Sequence, residues 1–298
     1  MNQFTFEART RTILGAFMIL GVVCLLIAGL TDSARFWSNF LHNSVFFLGL
    51  GFISMFILAA FTTAYAGWHV QIKRIWESFS LFMIPGLILM LVVILGLWLG
   101  WHHLYHWADE ASVANDPILQ GKSSFLNKGW YTFGTLLIVG LWIWFARRNR
   151  QLSRDMEQAG EGDYQAYKKS YTISAIFLPI AGFSSAAMIW QWVMSVDAHW
   201  YSTLFAWYAT ASLFVAAMCL TIMLLIWLRS KGYFSTITAN HFHDLGKYVF
   251  AISIFWTYLW FSQYMLIWYG NNGEETIYFH LRQQEYPVLF YGNLLLNF

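Results

Sequence analysis

The sequence predicts an all-α, polytopic transmembrane helical bundle with seven complete spans, a truncated eighth span and a cytoplasmic N-terminus. Composition is the first reason, because 58% of the 298 residues are hydrophobic and only 11% are charged, with a mean hydropathy of +0.50. Soluble domains carry charge on about a quarter of their residues. The other reasons are the length of the apolar runs and the unequal distribution of the cations.

Seven apolar runs are long enough to cross the hydrocarbon core of a bilayer, which takes roughly 20 residues of helix. None of them carries a lysine, arginine, aspartate or glutamate in its middle. Strands of a membrane barrel would instead alternate apolar and polar residues over about ten positions. We therefore predict helical spans at residues 13–30, 44–67, 79–100, 130–146, 171–195, 201–228 and 248–269.

An eighth apolar run begins at Tyr286, reads YPVLFYGNLLLNF and stops at Phe298. The run is shorter than a complete span, and no charged residue closes it. We expect the sequence to end inside this eighth helix. Residues 1–298 would then form a single transmembrane domain that lacks its last spans.

The 17 lysines and arginines divide unequally between the two sides that seven spans create. Cytoplasmic loops of membrane proteins carry such an excess, so the side with more cations is predicted to be cytoplasmic. That side holds the N-terminus and Arg9, Arg11, Lys73, Arg74, Arg147, Arg148, Arg150, Arg154, Lys168, Lys169, Arg229, Lys231 and Lys247. The other side holds only Arg35, Lys122, Lys128 and Arg282.

Two prolines lie inside predicted spans, Pro85 in the third and Pro179 in the fifth. Because proline removes a backbone hydrogen bond, both are predicted to kink their helices and to free carbonyl groups. The two cysteines, Cys24 and Cys219, form no CxxC or CxxCH motif. We therefore expect no iron–sulfur or haem site built from ligands of this chain.

The stretch QWVMSVDAHWYSTLFAWY joins the fifth and sixth predicted spans on the outer side. If this stretch is helical, Gln191 and His199 lie on one stripe, and Asp197 lies at the interface beside Trp200 and Tyr201. A carboxylate and an imidazole could accept the two protons of a quinol while an aromatic wall holds its ring. Alternatively, the stretch is a short turn in which Asp197 caps the sixth helix and His199 bonds a backbone carbonyl.

Titratable residues open the seventh predicted span, and hydroxyl groups follow along it. Such a series could admit protons from the cytoplasmic side. Alternatively, Asp244 favours a helix start and pairs with Lys247, while the hydroxyls hydrogen-bond neighbouring helices. The candidate residues for a proton path are His241, His243, Asp244, Lys247, Tyr258 and Tyr264.

Three histidines, His102, His103 and His106, follow the third predicted span. On a helix His102 and His106 would lie one turn apart and could share a metal. No cysteine or acidic residue at a fixed spacing supports this site, and we predict no metal site in the chain.

The strings WQWVMSVDAHWYSTLFAWY and HFHDLGKYVFAISIFWTYLWFSQYMLIWYGNNGEET resemble the F-type integral membrane subunit of alternative complex III. The resemblance covers roughly residues 189–278. That family belongs with the polysulfide-reductase-type (NrfD-like) membrane subunits, which are built as paired four-helix bundles with flanking helices. The resemblance implies a bacterial cytoplasmic (inner) membrane protein in a complex that oxidises quinol and reduces cytochrome c or a terminal oxidase.

The resemblance also implies the cofactors and partners of that complex. Haem c and iron–sulfur clusters would belong to partner subunits, and a quinone or quinol is the ligand that this chain could bind. Residue by residue, the resemblance carries over to Asp197, His199 and Tyr201 at the outer corner, and to the four titratable residues at the cytoplasmic mouth. The implied partners are a sister membrane subunit of similar fold, an iron–sulfur subunit, pentahaem and monohaem cytochrome c subunits, small helical subunits, a terminal oxidase and lipids, with no nucleic acid.

Three functions remain open at this point. The chain could bind quinone or conduct protons as a subunit, without a redox centre of its own, of a quinol:electron-acceptor oxidoreductase. It could be a purely structural scaffold of that complex. It could also be a stand-alone transporter or channel, since helices broken by glycine or proline are common in transporters.

Overall fold

The computed structural model describes residues 6–159 and 164–297. The fold is all-helical, with 86% helix and no strand among the described residues. Seven helices are long and apolar enough to cross a membrane, which confirms the seven predicted segments and indicates a multi-pass membrane protein. These candidate spans are Ala8–Thr31, Ser33–Thr63, Lys73–Leu99, Lys128–Gln158, Gln165–Val196, Thr203–Ser230 and Ala239–Gly270.

Twelve α-helices are numbered here in chain order over the described residues. They are α1 (Ala8–Thr31), α2 (Ser33–Thr63), α3 (Lys73–Ser80), α4 (Met83–Leu99), α5 (Glu110–Asn115), α6 (Pro117–Lys122), α7 (Lys128–Ala159), α8 (Gln165–Trp192), α9 (Thr203–Ser230), α10 (Ala239–Gly270), α11 (Gly273–Glu285) and α12 (Pro287–Asn297). Short 3-10 turns lie at Gly67–Gln71, His106–Ala108 and Met194–Val196.

Helix α2 is the centre of the molecule and packs against α3, α4, α8 and α9. Two glycines allow α2 and α4 to approach each other closely. A Cβ atom added at Gly86 would lie 2.9 Å from the Cβ of Leu48, and one added at Gly51 would lie 2.9 Å from the Cγ of Met83. Helices α7 and α8 also pack together. The result is a four-helix bundle around one apolar core, made of α2, the α3–α4 pair, α7 and α8.

The third span contains a short break between α3 and α4. Helix α3 ends at Ser80 and α4 begins at Met83, so the two-residue break comes just before Pro85. Pro85 is the third residue of α4, where a helix needs no amide donor from it. Helix α8, by contrast, continues through Pro179 without interruption. The two prolines therefore have different consequences, which the sequence analysis did not distinguish.

Helices α9 and α10 form a second layer beside the bundle, with α9 packed on α2 and α8. Helix α10 packs on α9 and exposes most of its remaining surface. The eighth apolar run is helical from Pro287 in α12. It follows α11, an amphipathic helix in a stretch that the sequence analysis had treated as a loop.

Contacts between distant residues define the two ends of the bundle. At the first, the basic end, Arg74 joins Glu77 and Glu157, and Lys231 joins Glu7. At the second, the loop end, Asp116 pairs with His199. The helices therefore alternate in direction as the seven-span topology requires.

Candidate functional site

The predicted outer corner lies at the loop end but does not form one continuous helix. Helix α8 ends at Trp192, a 3-10 turn follows at Met194–Val196, and α9 begins only at Thr203. The expectation of a helical stripe through Gln191 and His199 is therefore wrong. Gln191 points into the four-helix bundle with none of its surface exposed, whereas His199 lies on the surface.

Gln191 is unusual because neither atom of its amide has a hydrogen-bond partner among the described residues. It faces α7 at Gly134, where an added Cβ would lie 3.3 Å from the Gln191 Oε1 atom. A buried amide without partners costs free energy unless a water molecule satisfies it. This places Gln191 in the bundle core, away from the other four residues predicted to bind a quinone.

His199 pairs with a residue that the sequence analysis did not single out. Its Nε2 atom lies 2.5 Å from Oδ2 of Asp116, whose Oδ1 also accepts a hydrogen bond from the amide of Ile118 at the start of α6. The hydrogen bond from His199 lowers the pKa of Asp116 below its ordinary value. The stretch is therefore a turn, as the alternative interpretation predicted, but its expected bond from His199 to a backbone carbonyl is wrong.

Asp197 is exposed beside Lys122 and accepts no hydrogen bond from the residues that the structure describes. It does not cap α9, because Ser202 precedes that helix and no side chain caps it. Lys122 donates a hydrogen bond of 2.6 Å to the carbonyl of Ala198, and its ammonium lies 5.5 Å from the ring centre of Tyr201. Burial lowers the pKa of Lys122. Asp197 and Tyr201 thus lie on the loop-end surface.

Among the five candidate quinone-binding residues, Trp200 contacts a residue that lines a cavity, Tyr278. Its buried indole stacks on Tyr278 of α11, with ring centres 3.8 Å apart and planes 7° apart. The guanidinium of Arg282 lies 3.3 Å from the centre of the same Tyr278 ring. At those distances the indole and the guanidinium must occupy opposite faces of the ring. Burial raises the pKa of Tyr278, so its phenol stays protonated at neutral pH.

A partly open cavity of about 320 Å³ lies behind this stack, lined by residues of α9, α10, α11 and α12. Its walls are largely aromatic, from Trp260, Phe279 and Phe290. Gln263 of α10 lines it with only 3% of its surface exposed, and its amide has no hydrogen-bond partner among the described residues. Tyr208, hydrogen-bonded to Asn293, also lines the cavity. We call this space the Gln263 cavity.

A larger apolar groove of about 1130 Å³ adjoins the Gln263 cavity. The two share Trp260 and Phe290 as walls. Tyr258 and Tyr264, which the sequence analysis assigned to a proton path, also line this groove on α10. Their environment is therefore an aromatic surface that opens to the outside of this chain.

The four titratable residues predicted at the cytoplasmic mouth lie together at the first turns of α10. His241 forms a capping box with Thr238, and Lys247 donates a hydrogen bond of 3.3 Å to Asp244. Nδ1 of His243 lies 3.9 Å from the same carboxylate. The predicted i,i+3 pair therefore forms, and these contacts stabilise the start of the helix.

The three histidines after the third span do not lie on a helix, because residues 102–105 are irregular. His102 is buried against Trp37, and its Nε2 atom lies 3.0 Å from the carbonyl of Val93. Burial lowers the pKa of His102, so its ring is neutral at pH 7. His103 and His106 are exposed. The one-turn spacing needed for a shared metal is therefore not formed.

The Gln263 cavity was missed because most of the residues that line it belong to α11 and α12. Residues 271–285 are rich in polar side chains, which is typical of a loop. However, Asn272 caps α11 and two glutamates follow in its first turn. Those are ordinary signals of a helix start and could have revealed α11.

Comparisons with known proteins do not identify a family for this chain. No family model matches the chain, and a search of curated proteins found no significant match.

Proposed function

We propose that this chain is an integral membrane subunit of a bacterial respiratory complex that oxidises quinol, and that its Gln263 cavity binds the quinone ring. The proposal rests on one observation, the combination of an aromatic cavity, an unpaired buried amide and an adjoining apolar groove. Ligand sites of this kind are mostly apolar with a few well-placed polar groups. The resemblance of residues 189–278 to the F-type subunit of alternative complex III gives the same class of function.

The chemistry of a quinone fits the groups in the cavity. The Gln263 amide can donate a hydrogen bond to a quinone carbonyl or accept one from a quinol hydroxyl. Trp260, Phe279 and Phe290 can hold the flat ring between their faces, and the guanidinium of Arg282 provides a cation near its edge. The adjoining groove has the volume and the apolar walls to take an isoprenoid tail.

The position along α10 also suits a quinone that enters from lipid. Gln263 lies seven residues before the helix ends at Gly270, which corresponds to a depth of about 10 Å. In the proposed orientation the N-terminus is cytoplasmic and the loop end faces the opposite side, as the cation excess indicates. Oxidation of one quinol releases two protons and two electrons. Asp197 and the Asp116–His199 pair at the loop end are candidate proton acceptors.

The electrons would leave through partner subunits, because the proposal assigns this chain no redox centre. Those partners are a sister membrane subunit, an iron–sulfur subunit and cytochrome c subunits, in the bacterial inner membrane. The apolar helix α12 would belong to an eighth membrane helix. A proton route that starts at His243 and Asp244 belongs to the same proposal, supported by the row of titratable groups at the basic end of α10.

The test is the replacement Gln263→Leu in the chain expressed in its native membrane. Loss of one hydrogen bond to the ring is expected to raise KM for quinol about tenfold. Gln284→Leu on the exposed side of α11 is the matched control and should leave KM unchanged. Co-purified c-type haem, measured from reduced-minus-oxidised spectra, reports assembly of the complex.

The alternatives give different results in the same experiment. Complexes of normal haem content and unchanged quinol KM in Gln263→Leu would favour a structural scaffold. A chain that purifies without haem proteins and supports solute uptake in vesicles would favour a transporter. Either result would overturn the proposed quinone site.

A further inference from the structure

A second cavity, of about 320 Å³, lies at the basic end of the four-helix bundle, opposite in the membrane to the Gln263 cavity. Helix α3 and helix α7 provide its charged walls. Lys73 and Glu77 lie one turn apart on α3, and Arg150, Ser153 and Glu157 lie along one face of α7. We call it the Arg150 cavity.

One cation, Arg74, pairs with both carboxylates of the Arg150 cavity and balances one of their two negative charges. Arg74 donates a hydrogen bond of 2.5 Å to Glu77 and also pairs with Glu157. Glu77 is almost fully buried, with 5% of its surface exposed. A buried carboxylate is stable only when paired in this way, so Arg74 is not available to a ligand.

The two remaining cations have no partner at ion-pair distance, although Glu77 and Glu157 act on Lys73 electrostatically at longer range. Neither Lys73 nor Arg150 forms a hydrogen bond or ion pair with any residue that the structure describes, although both line the cavity and are half-buried. The side chains at the cavity carry one positive charge in excess. The cations are Lys73, Arg74 and Arg150, and the carboxylates are Glu77 and Glu157. His69, which also lines the cavity, adds no charge because burial lowers its pKa.

A buried hydroxyl group lies beside these cations. Ser153 is 4% exposed, and its Oγ atom has no hydrogen-bond partner among the described residues. It lies three residues after Arg150, on the same face of α7. The neighbouring amide of Asn149 is already occupied, since it donates to Ser174 and accepts from Ser170. The cavity therefore offers an ammonium, a guanidinium and a free hydroxyl.

We infer that the Arg150 cavity binds a phosphate group, either in the headgroup of an anionic phospholipid or in a free phosphate compound. A phosphate has several acceptor oxygens and is bound well by a guanidinium, an ammonium and a hydroxyl together. The cavity lies at headgroup depth, because Arg150 follows the end of the fourth predicted apolar run at residue 146 by about 6 Å of helix. Basic pockets between membrane helices commonly hold lipid headgroups. The inference does not depend on the proposed quinone site.

The experiment uses the full chain purified in nanodiscs of phosphatidylcholine. One arm adds phosphatidylglycerol and measures retained lipid by native mass spectrometry, and the other titrates inorganic phosphate and follows the thermal unfolding midpoint. Arg150→Gln should weaken binding about tenfold or more, the effect of losing one charged hydrogen bond. The matched control is Arg148→Gln on the same helix, since Arg148 bonds Gln151 and does not line the cavity.

The two arms separate the sources of the phosphate. Retention of phosphatidylglycerol alone identifies a lipid site, and a response to inorganic phosphate alone identifies a site for a soluble compound. Binding in neither arm overturns the inference, as does equal binding by Arg150→Gln and wild type. Equal loss in Arg148→Gln would also overturn it, because general surface charge would then explain the binding.

A second variant, with a smaller change, keeps the inference testable if Arg150→Gln does not fold. Ser153→Ala deletes only the unpaired hydroxyl and should fold at least as well as wild type. It should nevertheless weaken phosphate binding several-fold. Unchanged binding in a folded Ser153→Ala protein would contradict the assignment of that hydroxyl to the ligand.

Discussion

Replacing Gly86 by alanine tests the close approach of α2 and α4 on which the four-helix bundle depends. The new methyl group would lie 2.9 Å from the Cβ and 3.0 Å from the Cα of Leu48. Carbon atoms ordinarily approach to about 3.5–4.0 Å, so the two helices must separate by roughly half an ångström or more. Overpacking of this kind costs about 1–3 kcal/mol.

The helix preference of alanine offsets part of that cost, by up to about 1 kcal/mol. The matched control is Gly140→Ala in α7, because an added Cβ there meets no atom within 4 Å. Gly140→Ala therefore gains the helix preference without the crowding. We expect the free energies of unfolding of the two variants to differ by about 1–3 kcal/mol, with Gly86→Ala the less stable.

The assay is thermal unfolding of the purified protein in one detergent, followed by loss of the monodisperse peak in size-exclusion chromatography. Wild type, Gly86→Ala and Gly140→Ala are compared at the same protein concentration. A midpoint for Gly86→Ala equal to or above that of Gly140→Ala would refute the close approach of the two helices.

Three further predictions concern charged groups. Because His199 lowers the pKa of Asp116, the pair stabilises the fold above the ordinary value of 3.8 and loses that effect as pH falls below it. Unfolding midpoints of Asp116→Asn and wild type should therefore differ near about pH 6 and approach each other as the pH falls below 3.8, and a constant difference would contradict this. Arg74→Met leaves Glu77 buried without its partner, so we expect the free energy of unfolding to fall by about 3 kcal/mol. Adding Glu77→Leu should restore most of that stability, and no recovery would exclude the buried charge as the cause. A proton route predicts that Asp244→Asn slows turnover of the assembled complex, whereas a role only at the helix start predicts normal turnover and a stability change of about 0.3–1 kcal/mol.

The spans could be predicted because hydropathy is a local property and helices in lipid must satisfy their own backbone. The break between α3 and α4 was less predictable, since Pro85 signals a disturbance without saying whether the helix bends or stops. Pro179 has the same local chemistry, and α8 continues through it. The difference lies in the packing of the surrounding helices, which one segment of sequence does not contain.

The candidate site could be predicted only in part. Trp200 was identified, but its partner Tyr278 and the cation Arg282 were not, because α11 carries too few apolar residues to appear in a search for spans. The pair of Asp116 and His199 joins residues 83 positions apart, and no periodicity in the chain connects them. Such pairs follow from the fold and become visible only with it.

The central position of α2 has a consequence for how the protein is made. Its last packing partner in the four-helix bundle, α8, ends 129 residues after α2 ends, from residue 63 to residue 192. At a synthesis rate of about 5–20 residues per second, α2 must remain in the bilayer for roughly 6–26 seconds before that bundle can close. During this interval the surface of α2 that α8 later covers lacks its helix partner. The hydroxyls of Ser44 and Ser54 do not depend on another helix for a partner. Each donates a hydrogen bond to a carbonyl one turn earlier in α2, at 2.6 and 2.7 Å.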